Sequence, residues 1–153
     1  MIILEVSSED QMKIVGKTIG LLLHGGEVIE LIGDIGAGKT TLTKGIAVGM
    51  GINENLQSPS FTISRVYKGR DNMVLSHYDF YRLDNAGIML NELEEAISDS
   101  EKVVIIEWAE AARGVLPKDR LSIQIIAVSE FSRKLMISAD GDVSRGLMER
   151  IKQ

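Results

Sequence analysis

Gly33-Asp34-Ile35-Gly36-Ala37-Gly38-Lys39-Thr40 is the stretch on which the reading of the chain turns. Its glycines let the backbone curl until successive amides point inward, through dihedral regions that a side chain would obstruct. Upstream, Val28–Ile32 is a short β-prone run that delivers the chain directly into this loop. Downstream, Thr41 to Met50 places apolar residues at helical spacing, and Gly51 stands where a helix end favours a left-handed residue. A strand, a glycine loop and a helix in that order form an anion cradle, with the positive end of the helix dipole aimed at phosphate. Gly33, Asp34, Gly36, Ala37, Gly38, Lys39, Thr40 and Thr41 are therefore candidate ligands of a nucleotide. Lys39 would reach the β- and γ-phosphates, and the Thr40 hydroxyl would meet Mg2+.

Working outward, Met1 to Val6 reads as a strand, and Ser8 with Gln11 three residues later is a capping signal opening a helix to about Leu23. His24-Gly25-Gly26 stops it. Beyond the loop helix, Ile52 to Pro59 is a polar connector, and Phe61–Tyr67 with Met73–Asp79 reads as a β-hairpin. Ala86 to Ile97 carries Leu90, Leu93 and Ile97 at helical spacing, and Val103–Ile106 is apolar enough for a strand buried on both faces. Leu121–Val128 and Lys134–Ala139 pair as a second antiparallel unit, and Val143–Ile151 closes the chain as a helix. The predicted fold is α/β: a three-layer P-loop NTPase with a mixed, mainly parallel central sheet and antiparallel additions.

Length and composition agree with one such domain over residues 1–153. Hydrophobic residues make up 44% and charged residues 25%, as expected of a folded globular chain. A net charge of −5 disfavours a broad basic face gripping nucleic acid, so any link to RNA would be indirect. The absence of cysteine excludes disulfides, thiolate zinc sites and thiol nucleophiles. Neither a signal peptide nor an apolar run long enough to cross a bilayer is present, which places the protein in the cytoplasm.

Phosphate chemistry of this kind also needs an acid at the tip of a neighbouring strand. Glu107 ends the most hydrophobic run and is the candidate metal ligand, the alternative being a surface glutamate after a strand. Asp79 closes another β-like run and could orient an attacking water, or else cap a turn or pair with Arg82. Ser58-Pro59-Ser60-Phe61-Thr62 is either a hydroxyl-rich switch loop sensing the γ-phosphate, through Ser60 and Thr62, or a proline-directed turn. Trp108, the single tryptophan, is either core or a neighbour of the ligand. His24 and His77 are not spaced as metal ligands and receive no chemical role.

Four segments, GDIGAGKTT at Gly33–Thr41, SPSFT at Ser58–Thr62, HYDFYRL at His77–Leu83 and IEWAE at Ile106–Glu110, together resemble the TsaE family, in family order and over most of the chain. The resemblance implies a bacterial P-loop ATPase required for threonylcarbamoyladenosine modification of tRNA. Such a protein hydrolyses ATP slowly alone and acts with TsaB and TsaD, docking near the active site of TsaD, with tRNA met only through the complex. It implies that Lys39 holds phosphate, that Thr40 and Glu107 hold Mg2+, and that Asp79 is the acid needed for hydrolysis. It also implies that Trp108 lies close to the nucleotide and that Arg133 is a basic residue near it. Two positions depart from the family pattern: Ser60 replaces a threonine, keeping the hydroxyl, and Met12 stands where a threonine near adenine is common, with Glu9 as the substitute contact.

Three other readings compete. A small-molecule kinase would share the loop but needs an acceptor site and usually an arginine-bearing lid, and no arginine occurs between Asp84 and Glu101. A GTPase would need an Asn-Lys-x-Asp segment, which the chain lacks. A nucleotide-gated binding module with incidental hydrolysis overlaps the TsaE reading.

Overall fold

The computed structural model describes residues 1–59, 63–81, 83, 87 and 89–153. Among these residues, seven strands form one sheet: β1 (Ile2–Val6), β2 (Val28–Ile32), β3 (Ser64–Lys68), β4 (Val74–Asp79), β5 (Lys102–Glu107), β6 (Leu121–Ala127) and β7 (Arg133–Ala139). Their spatial order is β1-β7-β6-β2-β5-β4-β3. The four central strands β6, β2, β5 and β4 are parallel, while β1, β7 and β3 add on antiparallel at the two sides. This is the mixed sheet expected from the sequence. Val103 to Ile106 of β5 are fully buried because helices cover both of its faces.

On one face lie α1 (Glu9–Leu21), α2 (Lys39–Gly49) and α4 (Asp142–Lys152), whose Ile19, Leu42, Ile46 and Leu147 pack with Ile29, Leu31, Ile105, Ile123 and Ile137. The opposite face is covered by α3 (Met89–Ser98) and a short 3-10 helix, Ala109–Ala112. There Leu93, Ala96, Ala109 and Ala112 meet Tyr78, Phe80, Val104 and Ile106. Full burial of such side chains contributes about 1.5–3 kcal/mol each.

Local signals explain the helix ends. The Ser8 side chain accepts the Gln11 amide at 3.1 Å while the Gln11 side chain accepts the Ser7 amide at 2.7 Å. This is a reciprocal cap that fixes where α1 starts. At the other end of α1, Arg70 donates to the carbonyls of Gly20, Leu21 and Leu23, replacing bonds the helix cannot make internally. α4 is capped from a distance, the Asp119 carboxylate accepting the amides of Val143 and Ser144 at 3.0 and 2.9 Å.

α1 and α2 touch along a seam of glycines. A Cβ on Gly16 or Gly20 would run into the carbonyls of Leu42 or Ile46, and one on Gly45 or Gly49 into those of Lys13 or Lys17. The two backbones are thereby in direct contact, which holds α1 rigidly against the helix that follows the phosphate loop.

The starts of two elements differ from the sequence reading by two residues or more, and a third predicted start is not among the described residues. α2 begins at Lys39 rather than Thr41, because Gly38, at φ 114°, is its cap, and polar Lys39 and Thr40 carry no apolar periodicity. The first strand of the hairpin begins at Ser64 rather than Phe61: Ile63 has φ 67°, which interrupts extended backbone, and Phe61 and Thr62 lie outside the described residues. α3 is described from Met89, so the predicted start at Ala86 also lies outside them. Among the described residues, no helix is long and apolar enough to cross a membrane.

Candidate functional site

The carboxyl ends of the parallel strands converge on the loop between β2 and α2. Gly36 and Gly38 adopt positive φ, 79° and 114°, and the amide end of α2 that follows has no side-chain cap. Its first-turn amides are thus directed at whatever occupies the loop mouth. Gly33 matters for space, since a Cβ there would stand 2.8 Å from the Ile125 carbonyl.

Lys39 is a buried cation. Its Nζ donates to the Gly33 carbonyl at 2.5 Å and the Asp34 carbonyl at 3.0 Å, and lies 4.4 Å above the Trp108 ring. Burial lowers its pKa from the ordinary lysine value, while the carboxylates of Glu107, Asp79 and Asp34 pull it back up. Trp108 also stacks obliquely on Tyr81, ring centroids 5.0 Å apart, and holds a left-handed backbone with φ 55°. That conformation is costly for a residue with a Cβ, and it turns the indole back over the loop.

Both predicted acids stand at strand tips and share one face. β4 and β5 run in register with Asp79 beside Glu107, and both are buried, at 6% and 2% exposure. Asp79 Oδ1 accepts the Tyr81 amide at 2.9 Å, which fixes the turn leaving β4. Glu107 Oε2 is 2.8 Å from Nε2 of His77, a histidine with no exposure at all.

Two clefts meet over the loop. One, of about 370 Å3, is lined by Lys39, Thr40, Tyr81, Glu107 and Trp108. The other, of about 280 Å3, is lined by Ser8, Glu9, Met12, Glu130, Phe131 and Arg133. Gly36, Gly38 and Thr41 line both, so the loop forms their common floor. Phosphates and a cation suit the first, and a sugar and base suit the second, where Phe131 is 70% exposed at the rim.

The structure thus brings Lys39, Thr40, Glu107 and Trp108 together in one cleft and Glu9 and Arg133 in the other. Thr41 bridges the two, with its hydroxyl 3.4 Å from Glu9 Oε1. Asp79 is joined to the first cleft through the strand register rather than as a wall. Arg133 is turned to the back of the loop: its guanidinium donates to the carbonyls of Ala37 and Gly36, at 2.9 and 3.3 Å, and to those of Ser129, Glu130 and Ser132. Ser60, Thr62 and Arg82 lie outside the described residues.

Three residues of the site escaped the sequence reading. His77 has no metal-ligand spacing, yet its two-residue separation from Asp79 on a strand puts both on one face. Tyr81 and Phe131 gave no signal, since nothing local says that a turn aromatic will face a distant loop. Among the described residues, no group of three or more histidine and acidic side chains could cage a metal. A hydroxyl from Thr40 and a carboxylate from Glu107 are nonetheless the hard oxygen donors that suit Mg2+, which takes its remaining ligands from phosphate and water.

This sheet order, with the loop at the end of the central strand β2 and acids at the tips of β5 and β4, defines a three-layer P-loop protein. The chain belongs to the TsaE family: residues 6–135 match the family described as threonylcarbamoyl adenosine biosynthesis protein TsaE. Among curated relatives, the TsaE protein of Bacillus subtilis is 34% identical over 145 residues, covering 94% of this chain and 89% of that protein. The TsaE protein of Streptomyces coelicolor is 37% identical over 115 residues, covering 74% and 78% respectively. The crystal structure of Bacillus subtilis YdiB superposes with a TM-score of 0.82 at 30% identity, covering 99% of this chain and 93% of that one.

Proposed function

We propose that the protein binds ATP with Mg2+ in the joined clefts, hydrolyses it slowly, and serves with TsaB and TsaD in threonylcarbamoyladenosine modification of tRNA in the cytoplasm. The observation that carries this is the convergence of Lys39, Thr40 and Glu107 in one cleft over a left-handed glycine loop, with buried Asp79 in register beside Glu107. In this reading the loop amides and Lys39 hold the phosphates, and Thr40 and Glu107 hold the cation. Mg2+, when bound, neutralises charge on the transferring phosphoryl group. Asp79, one strand over, orients the attacking water. Ser60 and Thr62 would sense the γ-phosphate. Glu9 and Phe131 would border the nucleoside.

Slow turnover follows from what the chain offers. Among the described residues, no arginine lines the Lys39 cleft, and an arginine finger is worth roughly 10³–10⁵ in rate in other NTPases. A partner would supply that stabilisation or order Asp79, and tRNA would be met through the partner complex, as the net charge of −5 favours.

The test is calorimetry and phosphate release on two variants. Lys39→Ala is expected to lose ATP binding, whereas Asp79→Ala keeps binding and loses hydrolysis. TsaB and TsaD should capture the protein and raise its turnover. A chain that ignores adenine nucleotides in the presence of magnesium would end this reading, and equal loss of binding in both variants would remove the role given to Asp79.

A further inference from the structure

The pair formed by His77 and Glu107 is the buried polar contact that the reaction scheme above leaves without a task. His77 is completely enclosed, and its Nε2 lies 2.8 Å from Glu107 Oε2. Two consecutive facts of β-geometry put it there. β4 and β5 are parallel, with His77 beside Ile105 and Asp79 beside Glu107. Residues two apart on a strand share a face. His77 therefore stands one step below Asp79 on the face that carries Glu107, beneath the tip of β5.

A carboxylate oxygen accepts, so in this contact the ring nitrogen Nε2 is the donor to Oε2. Nδ1 is buried with no hydrogen-bond partner among the described residues, so the one polar contact of the ring is the one that orients Glu107.

Glu107 has another group to answer to. The Lys39 ammonium sits in the same cleft, and the Glu107 charge acts on it. A glutamate free to rotate would swing toward that ammonium. With Oε2 engaged by the ring, the carboxylate is held, and Oε1 is the oxygen left for a cation or its water shell.

We infer that His77 is a positioning residue for the cation held by Glu107, acting through the Nε2–H to Oε2 hydrogen bond and touching neither metal nor nucleotide. The inference rests on the reading of this cleft as a Mg-nucleotide site. Ligating carboxylates are themselves hydrogen-bonded, and removing such a partner typically weakens metal binding by roughly 10–100-fold. A pair that merely stabilised the core would leave the metal requirement of the folded protein unchanged.

The experiment measures binding of adenylyl imidodiphosphate to the whole chain by calorimetry, in EDTA and at graded MgCl2. In His77→Leu the Mg2+ needed for half-saturation should rise roughly 10–100-fold, with affinity in EDTA staying within about threefold. His77→Gln, whose amide reaches as far as Nε2, should recover to within about threefold of the unaltered chain, and His77→Asn, whose amide stops at Nδ1, should not. An unchanged Mg2+ requirement in His77→Leu, an equal loss in EDTA, or a glutamine no better than asparagine would each overturn the inference. Should His77→Leu fail to fold, the unaltered chain decides the matter by 15N NMR, since it holds only two histidines. A ring in the Nε2–H form whose Nε2 signal moves when Mg2+ joins the bound analogue supports the inference. A ring in the Nδ1–H form, or one indifferent to Mg2+, refutes it. Failure of the unaltered chain to bind the analogue at all overturns the reading of the cleft as well, whereas normal binding with an indifferent His77 overturns the inference alone.

Discussion

Replacing Arg133 by alanine separates two roles that a basic residue beside a phosphate loop can have. In the structure its guanidinium spans two chain segments, bonding the carbonyls of Gly36 and Ala37 on one side and those of Ser129, Glu130 and Ser132 on the other. It braces the loop against the β6–β7 turn. Hydrogen bonds from a charged donor are worth about 1.5–3 kcal/mol each, and half-exposure argues for the low end. Two of the five reach the phosphate loop, so in Arg133→Ala the nucleotide must reorder that loop at a cost of up to about 3 kcal/mol. This corresponds to a loss of up to roughly 100-fold in affinity. Because a brace acts on the loop and not on one phosphate, ADP and ATP should weaken by the same factor in calorimetry. Arg133→Lys should rescue only in part, since one ammonium cannot serve both segments at once. Affinities within about twofold of the unaltered chain would refute the brace. So would a loss confined to ATP, which would mean that Arg133 reaches the γ-phosphate itself.

Further outcomes follow from neighbouring features. Trp108 fluorescence should change on adding Mg-ATP, because the Lys39 ammonium 4.4 Å above the ring would be drawn to phosphate, and the change should vanish in Lys39→Ala. Gly20→Ala gains about 1 kcal/mol of helix propensity but drives a Cβ into the Ile46 carbonyl. With overpacking costing about 1–3 kcal/mol or more, its melting temperature should fall, and an equal or higher one would contradict the seam. Asp119→Ala should lose about 1 kcal/mol through the lost cap of α4. Burial would raise the pKa of Asp119, but the Ser144 and Val143 amides and Arg145 hold it below the ordinary 3.8. A depressed carboxylate stabilises fully above its unfolded pKa and stops doing so as pH falls through the folded value. Denaturation curves of the two proteins should therefore differ at neutral pH and converge in acid below 3.8.

What could be read from sequence was whatever depends on local chemistry. The glycine loop, the Ser8 cap and the double-sided burial of Val103–Ile106 each follow from a few adjacent residues, and the structure has all three. The acids at the strand ends were legible because a charge after a long apolar run has few places to go. The rest depends on register between strands far apart in the chain. Nothing near His77 says that β5 will bring Glu107 alongside it, 30 residues later. Nothing near Phe131 or Arg133 says that their turn will reach Gly36 and Ala37, nearly a hundred residues earlier. The start of α2 was missed for the opposite reason: a very local event, the left-handed Gly38, outweighed the apolar spacing used to find the helix.

The glycine seam has a consequence for how the chain is made. Gly16, Gly20, Gly45 and Gly49 each weaken their own helix by about 1 kcal/mol relative to alanine, so neither α1 nor α2 is a durable segment on its own. Each is stabilised by the other, and residues 9–49 become ordered together or not at all. During synthesis that unit can assemble early, but β1 cannot join it in full, because its partner β7 begins at Arg133. Ile2, Leu4 and Val6 must wait unpaired on the ribosome until Arg133–Ala139 has been made, and that edge of the sheet is sealed only then.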